Sequence, residues 1–509
     1  MIRIQCENFL FFPFLFLFSS SSLAEDITPP LAPSIELLEE IPETQTNQAN
    51  VDGNLEPIAV SERGNESFAM TYVEISDSGI SNGRYPTSEH YVAEYLYQNQ
   101  TACYWSDDTE NNVIYTSPIP EPPSDAIALP PPSGGDDTSA LESVINSNSG
   151  GSFVGSGTYR LSDLTVDVPS RIWNVPSIPL SSTTGTIWTI TSQDVRIYNS
   201  PIDALNSKGI SFGWDVRDES HDFHLVSSGF SNAKVTDGGS MAGVFLRAVS
   251  NFHIACNLFE NILNASGKGT TARANAIWMN GGGDGSTSGG HIVNNSAVNI
   301  QSNGNDKDGE FFTRQSYDVT DSPVRMFGNR VEDAGKRFVK FQSDGGLVLS
   351  NHVVWANKSG NAGMGDRNLT AYASIIGQSG NVYMQNNRFE VQPATFGKLD
   401  RLFEHGPTTK RGGVTDNIHI DHNLIVIDSN DNGTVPHNPS IFYFAAAGGG
   451  SFNSFTNSSI KNNLVIGSGA IEHYWDFTTN DLPSTDWPAG NLDISGNVFN
   501  IPVTVAEFE

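Results

Sequence analysis

Asn251-Phe252-His253-Ile254-Ala255-Cys256-Asn257-Leu258-Phe259 is a short strand of alternating apolar residues, an Asn, and the opening of a second strand. The pattern returns around Asn295, Asn329, Asn351, Asn387, Asn423, Asn463 and Asn497, and Asn199 and Ser228 are assigned the same place in earlier copies. Asn329 and Asn351 stand 22 residues apart; the other gaps run from 34 to 40. A minimum near 22 with variable excess fits a coil of three short strands that carries insertions in its turns. Successive coils would stack at roughly 4.8 Å, the interstrand spacing. Asn tolerates a left-handed turn and can hydrogen-bond along the stack. A leucine-rich repeat needs regular Leu, which is sparse here, and a β-sandwich does not account for the recurrent Asn.

Outward from the repeat, the chain divides by composition. Residues 1–24 place Arg3 ahead of an apolar run from Phe9 to Phe18, then offer small residues at Ser22-Leu23-Ala24. This is the layout of an export leader cleaved near Ala24. The run is too short to span a bilayer, and no other run of 18 apolar residues occurs, so a secreted chain without a membrane span is expected. Residues 25–60 read as a disordered acidic linker. Residues 61–116 carry aromatic and β-branched stretches and read as a small module of unassigned role; 117–133 is a Pro-rich linker. Residues 134–509 hold the repeat. Asp136-Asp137-Thr138-Ser139-Ala140-Leu141 opens one short capped helix.

The protein has 27 Lys and Arg against 57 Asp and Glu, a net charge of -30. Nucleic acid is excluded as a default partner, because phosphate binding needs a basic footprint. Of three cysteines, Cys6 lies in the leader. Cys103 and Cys256 are too few for a disulfide framework, and a bridge between them stays open. The sequence sets no oligomeric state.

Gly135-Asp136-Asp137-Thr138-Ser139-Ala140-Leu141, then Gly150-Gly151 and Gly157-Thr158-Tyr159, together with the Asn-punctuated coils, resemble the right-handed parallel β-helix proteins of the pectate-lyase (pectin-lyase-like) superfamily. The resemblance covers about residues 134–500. It implies an all-β fold of about ten coils with an N-terminal capping helix, and a polysaccharide partner bound along one outer face. The floor of that groove would be the strand preceding the one that leads to each Asn. Counting back places it at 210–215, 243–248, 275–280, 310–315, 337–342, 373–378, 401–406, 440–445 and 472–477. Insertions at 281–289, 407–416, 448–457 and 478–490 would wall the groove.

On these strands Trp214, Trp278, Tyr443 and Trp475, with Arg247 and Lys336, are candidate sugar-binding residues. Strand alternation turns half of any such set inward. Val339-Lys340-Phe341 and Leu246-Arg247-Ala248 read as opposite phases. β-Elimination on a uronic acid needs a base and a positive group or Ca²⁺ for the carboxylate. Lys340, Arg314 and Arg337 form a rare local cluster of bases, and Arg401, Glu404 and His405 follow two coils on; Lys340, Arg314, Arg337, Glu404 and His405 are the catalytic candidates. A lyase of uronic-acid-containing chains is the leading expectation. A glycoside hydrolase is the alternative, with Asp306, Asp308 and Glu310 supplying carboxyls beside Glu404. A non-catalytic adhesin is the third. Asp306 and Asp308 are also candidate Ca²⁺ ligands. Asp428-Ser429-Asn430-Asp431-Asn432-Gly433 opens like a calcium loop, but Pro439 stands where a Glu is needed. Neither the Asp pair and Gly-His-Gly of polygalacturonase-like hydrolases nor the Lys and Arg-His places of chondroitinase-like lyases carry over: Gln342 and Ile376-Gly377 occupy the latter.

Overall fold

A computed structural model describes residues 120–501 except for short stretches, the longer ones being 267–271, 281–288, 303–308, 316–323, 357–371, 394–400, 408–413, 429–439, 445–453 and 477–489. Before residue 120 it describes only the backbone of two antiparallel pairs, Val60–Arg63 with Glu66–Ala69 and Glu74–Ser76 with Gly79–Ser81. The Asp306 and Asp308 candidates and residues 1–24 therefore lie outside the described residues.

From residue 127 on, each coil lays down three strands. In the coil that opens at Phe252 these are Phe252–Ala255, Leu258–Asn264 and Ala274–Asn280. Each pairs in parallel with its equivalents in the coils before and after, giving, among the described residues, sheets of 14, 12 and 11 strands, called here sheets 1, 2 and 3 in coil order. The chain is a right-handed parallel β-helix. Its first strand in sheet 1, Ile127–Ala128, pairs with Phe153–Val154 and so lies within the Pro-rich stretch. The helix Thr138–Ile145 sets Leu141 and Ile145 onto the N-terminal end of the core. Stacked coils bury one column of apolar side chains from every sheet, such as Ile172, Ile197, Leu225 and Ile254 of sheet 1.

The repeat Asn marks the corner between sheets 1 and 2. Asn295 is typical. Its backbone N–H and its Nδ2 both donate to Asn329 Oδ1 at 3.0 Å, and Nδ2 also donates to Ile254 O at 2.9 Å. The same bonding runs unbroken from Asn257 to Asn497. The ladder Asn is not itself left-handed. The residue before it is: Cys256, Asn294, Gly328, Asn386, His422, Asn462 and Gly496 all have φ between 51° and 70°. One left-handed residue makes the sharp corner, and the next turns its amide onto the stack. Ser228 holds a ladder place as expected, donating its N–H to Asn257 Oδ1. The earlier copy is Ser200 rather than Asn199, because Asn199 is the left-handed residue and Ser200 N–H donates to Ser228 Oγ.

Candidate functional site on the outer face of sheet 3

All nine strands expected to form the groove floor fall in sheet 3. Backbone register then fixes which residues share a row. Trp188, Trp214, Val244, Ile277, Phe312 and Val339 form one row, fully buried in the core. Asp215, Phe245, Trp278, Thr313, Lys340, Glu404 and Tyr443 form the neighbouring row, on the outer face, and the backbone of Ser374 and Asp476 keeps the same register. Arg247 stands two residues beyond Phe245, on the same face. Lys340 and Arg247 are therefore in phase, not opposed as the sequence suggested. The middle of each strand turns two consecutive residues inward, such as Phe311-Phe312 and Phe338-Val339, which breaks simple alternation.

Three candidates are placed away from the floor. Trp214 is wholly buried in the core row. Arg314 registers with Leu246, Met279 and Phe341, which face inward, and its Nη1 donates to the Gly345 carbonyl at the far corner of the coil. Its guanidinium braces a turn from inside. Trp475 stacks on core Phe442 at 4.7 Å and meets Phe499 edge-on, so it closes the C-terminal end of the core. His405 registers with Phe341 through Ile375, in the row that faces the core on earlier strands; its side chain lies outside the described residues.

The remaining candidates assemble in two zones. In the first, Trp278 is half-buried and packs on Phe245 at 4.6 Å, and Phe245 stacks on Phe212 at 4.7 Å. Arg247 lies over Phe245, 4.6 Å from its centroid, and is fixed by Asp215 at 2.7 Å. Arg217 reaches the same carboxylate at 3.0 Å. Asp215 is 1% exposed while both arginines stay near half exposed, so the pairing aims charge outward. Phe212 and Phe245 went unnoticed in the sequence.

In the second zone Arg337 Nη1 lies 2.6 Å and Lys340 Nζ 3.8 Å from Glu310 Oε1, all three nearly sealed from solvent. Thr313 donates to the other Glu310 oxygen. Lys336 sits half-buried in the turn just before Arg337. The cluster read as a bare set of bases thus carries its own carboxylate. Farther along the row, Arg401 lies 3.2 Å from Glu404 and flat on Tyr443, 3.5 Å from its ring centroid. Arg401 and Glu404 keep 26% and 20% of their side chains exposed. It is the ion pair on this face, among the described residues, in which both partners reach solvent. No group of three or more metal-ligating side chains occurs among the described residues, and no described helix is long and apolar enough to cross a membrane.

No family profile matches the chain, and no curated protein matches it. Among solved structures it is similar to PfbA, a surface adhesin of Streptococcus pneumoniae, at 12% identity over 74% of this chain and 90% of that one, with a TM-score of 0.44. It is similar to the catalytic domain of a GH87 alpha-1,3-glucanase bound to tetrasaccharides, at 11% identity over 75% and 71% of the two chains, TM-score 0.38. It is also similar to the enzymatically active domain of tailspike protein 2 of bacteriophage CBA120, at 12% identity over 73% and 47%, TM-score 0.31.

Proposed function

We propose that this chain is an exported protein that holds a polysaccharide along the outer face of sheet 3 and cleaves uronic-acid-containing chains there by β-elimination. The observation that carries the reading is the partly exposed Arg401–Glu404 pair beside the Tyr443 ring, in the same row as Trp278, which Phe245 backs. Trp278 and Glu404 are four strands apart, about 19 Å along the axis, room for an oligosaccharide. Apolar faces of sugar rings cover aromatic faces and leave water. Among the described residues on and beside this face, Arg217, Arg247, Arg337, Lys340 and Arg401 against Asp215, Glu310, Glu404 and Asp476 leave one positive charge in excess (five minus four). In a protein of net charge -30 that favours an anionic chain at this place. A disulfide-bonded Cys256 fits export, since structural disulfides belong to oxidising compartments.

In the reaction the substrate carboxylate displaces Glu404 from Arg401. Arg401 then neutralises the carboxylate and acidifies the neighbouring C–H, and the released Glu404 takes that proton. The electron pair forms the C4–C5 double bond, the C4–O bond breaks, and the leaving oxygen is protonated by water. Incubation with alginate, pectate and glycosaminoglycans, followed at the ultraviolet absorbance of the unsaturated product, tests it. No product from any uronate polymer overturns the lyase reading. A second reading, binding without cleavage, is favoured by the Glu310 lock on Arg337 and Lys340, and it is selected by glycan-array binding with no shortening of the chains.

A further inference from the structure

The outer face of sheet 1 differs from that of sheet 2 in being apolar and closed to solvent. Trp173, Tyr198, Val226, Val293, Phe327 and Leu349 share one outward row along it, in register from strand to strand. None belongs to the internal core, yet each is at most 5% exposed. The adjacent outward row holds His224, His253 and His291, stacked at 4.6 and 4.8 Å and also nearly sealed from solvent. On sheet 2, by contrast, the outward side chains of Ser231, Lys234, Glu260 and Glu332 reach solvent. An apolar outer face of this extent needs a cover.

Two observations say which segment supplies it. Cys256, the left-handed corner residue at the edge of this face, is disulfide-bonded. The chain has two other cysteines, and Cys6 belongs to the stretch read as a cleaved leader, which leaves Cys103. Trp173 Nε1 donates to the Pro120 carbonyl at 2.8 Å, so the chain preceding the β-helix arrives at the N-terminal end of the same face. Trp173 and Cys256 are three strands apart, about 14 Å. The 17 residues from Cys103 to Pro120 can reach roughly 56–61 Å when extended, so the link is easily spanned. The segment's chemistry also matches. Tyr91, Tyr95, Tyr97, Tyr104 and Trp105 supply apolar surface, and residues 61–119 carry nine carboxylates against two arginines. The His row they would meet is bounded by Arg196 and Arg325.

We propose that residues 61–119 of this chain dock on the outer face of sheet 1 and are stapled there by a Cys103–Cys256 disulfide. The module is then part of the β-helix surface rather than a tethered domain.

The test uses the full secreted chain. Peptide mapping without reductant is expected to give a linked Cys103–Cys256 pair from the monomer. A free Cys256 thiol, or Cys256 joined to a second molecule or to Cys6, overturns the staple. Diethyl pyrocarbonate labelling reads the cover separately. His253 is expected to react at least roughly ten-fold more slowly than half-buried His419, as a site reached only by local opening does. Tyr104→Asp with Trp105→Asp, made with Cys103 intact, is expected to raise His253 toward the His419 rate. An unchanged His253 rate in that variant, with native circular dichroism, means another segment covers the face and overturns the docking.

Discussion

The Arg401 guanidinium lies 3.5 Å from the centroid of the Tyr443 ring while its Nη1 holds Glu404 at 3.2 Å. Both members of the pair reach water, so an incoming carboxylate can exchange with Glu404 without unfolding anything. Glu404→Gln keeps the shape and removes the base. It is expected to lower kcat by about 10²–10⁴-fold, the usual share of a general base, with little change in KM or melting temperature. Arg401→Ala is expected to lower kcat on uronate polymers and to raise KM. Steady-state kinetics with thermal melts on both variants checks this.

Trp214 and Trp278 stand two strands apart in sheet 3 and in neighbouring rows, one inward and one outward. Trp214 is core, so Trp214→Ala should cost about 3–5 kcal/mol of stability. Trp278 lies half-buried on the outer face against Phe245, so Trp278→Ala should cost clearly less than Trp214→Ala, about 1–2 kcal/mol, and weaken glycan binding. Denaturant unfolding beside a binding titration separates the two.

Asn351 Oδ1 accepts from both the backbone N–H and Nδ2 of Asn329, at 3.1 and 2.8 Å. Asn351→Ala leaves two buried donors without an acceptor, at about 1–3 kcal/mol each before relaxation. A loss of roughly 2–4 kcal/mol is expected, larger than for the Asn497→Ala change at the more open C-terminal end of the ladder. Paired chemical denaturation curves measure it.

Buried histidines and a buried carboxyl set opposite pH dependences. Burial, then the neighbouring His253, Arg196 and Arg171, hold His224 well below 6.5; burial, His253 and Arg325 do the same for His291. The unfolded chain takes up these protons as pH falls below 6.5 and the folded chain does not, so stability falls with pH there. Burial instead raises Asp421 to about 6, against the hydrogen bonds of Ser459, Lys461 and Gln385, with His419 3.7 Å away. Its contribution is fully present below 3.8 and is lost as pH rises through about 6. Asp421→Asn should therefore remove a stability loss between pH 4 and 6, leaving the His-linked acid sensitivity steeper. Melting temperatures across that range read it out.

Much of the architecture was written in the Asn spacing. One left-handed residue directly precedes the ladder Asn in coil after coil, as Cys256 precedes Asn257 and Asn294 precedes Asn295, so the corner between sheets 1 and 2 keeps its length. Counting back to sheet 3 crosses turns of unequal length: Trp278 stands 17 residues before Asn295, Lys340 only 11 before Asn351. The strand survives that count but the phase does not, which is why Trp214 and Arg314 looked available. The paired inward residues in mid-strand add a second phase shift that alternation cannot reveal. Glu310 shows the other limit. Its value as a lock on Arg337 and Lys340 comes from register across 27 residues, and no local pattern records it.

The central claim is that glycan is held on the outer face of sheet 3 through Trp278, which Phe245 backs. Affinity electrophoresis of the native chain and Trp278→Ala, in gels containing alginate, pectate or a glycosaminoglycan, tests it most directly. The native chain is expected to be retarded by at least one of these polymers and the Trp278→Ala chain to run near its mobility in a plain gel. Equal retardation of the two proteins, or no retardation of the native chain in any of the gels, contradicts it.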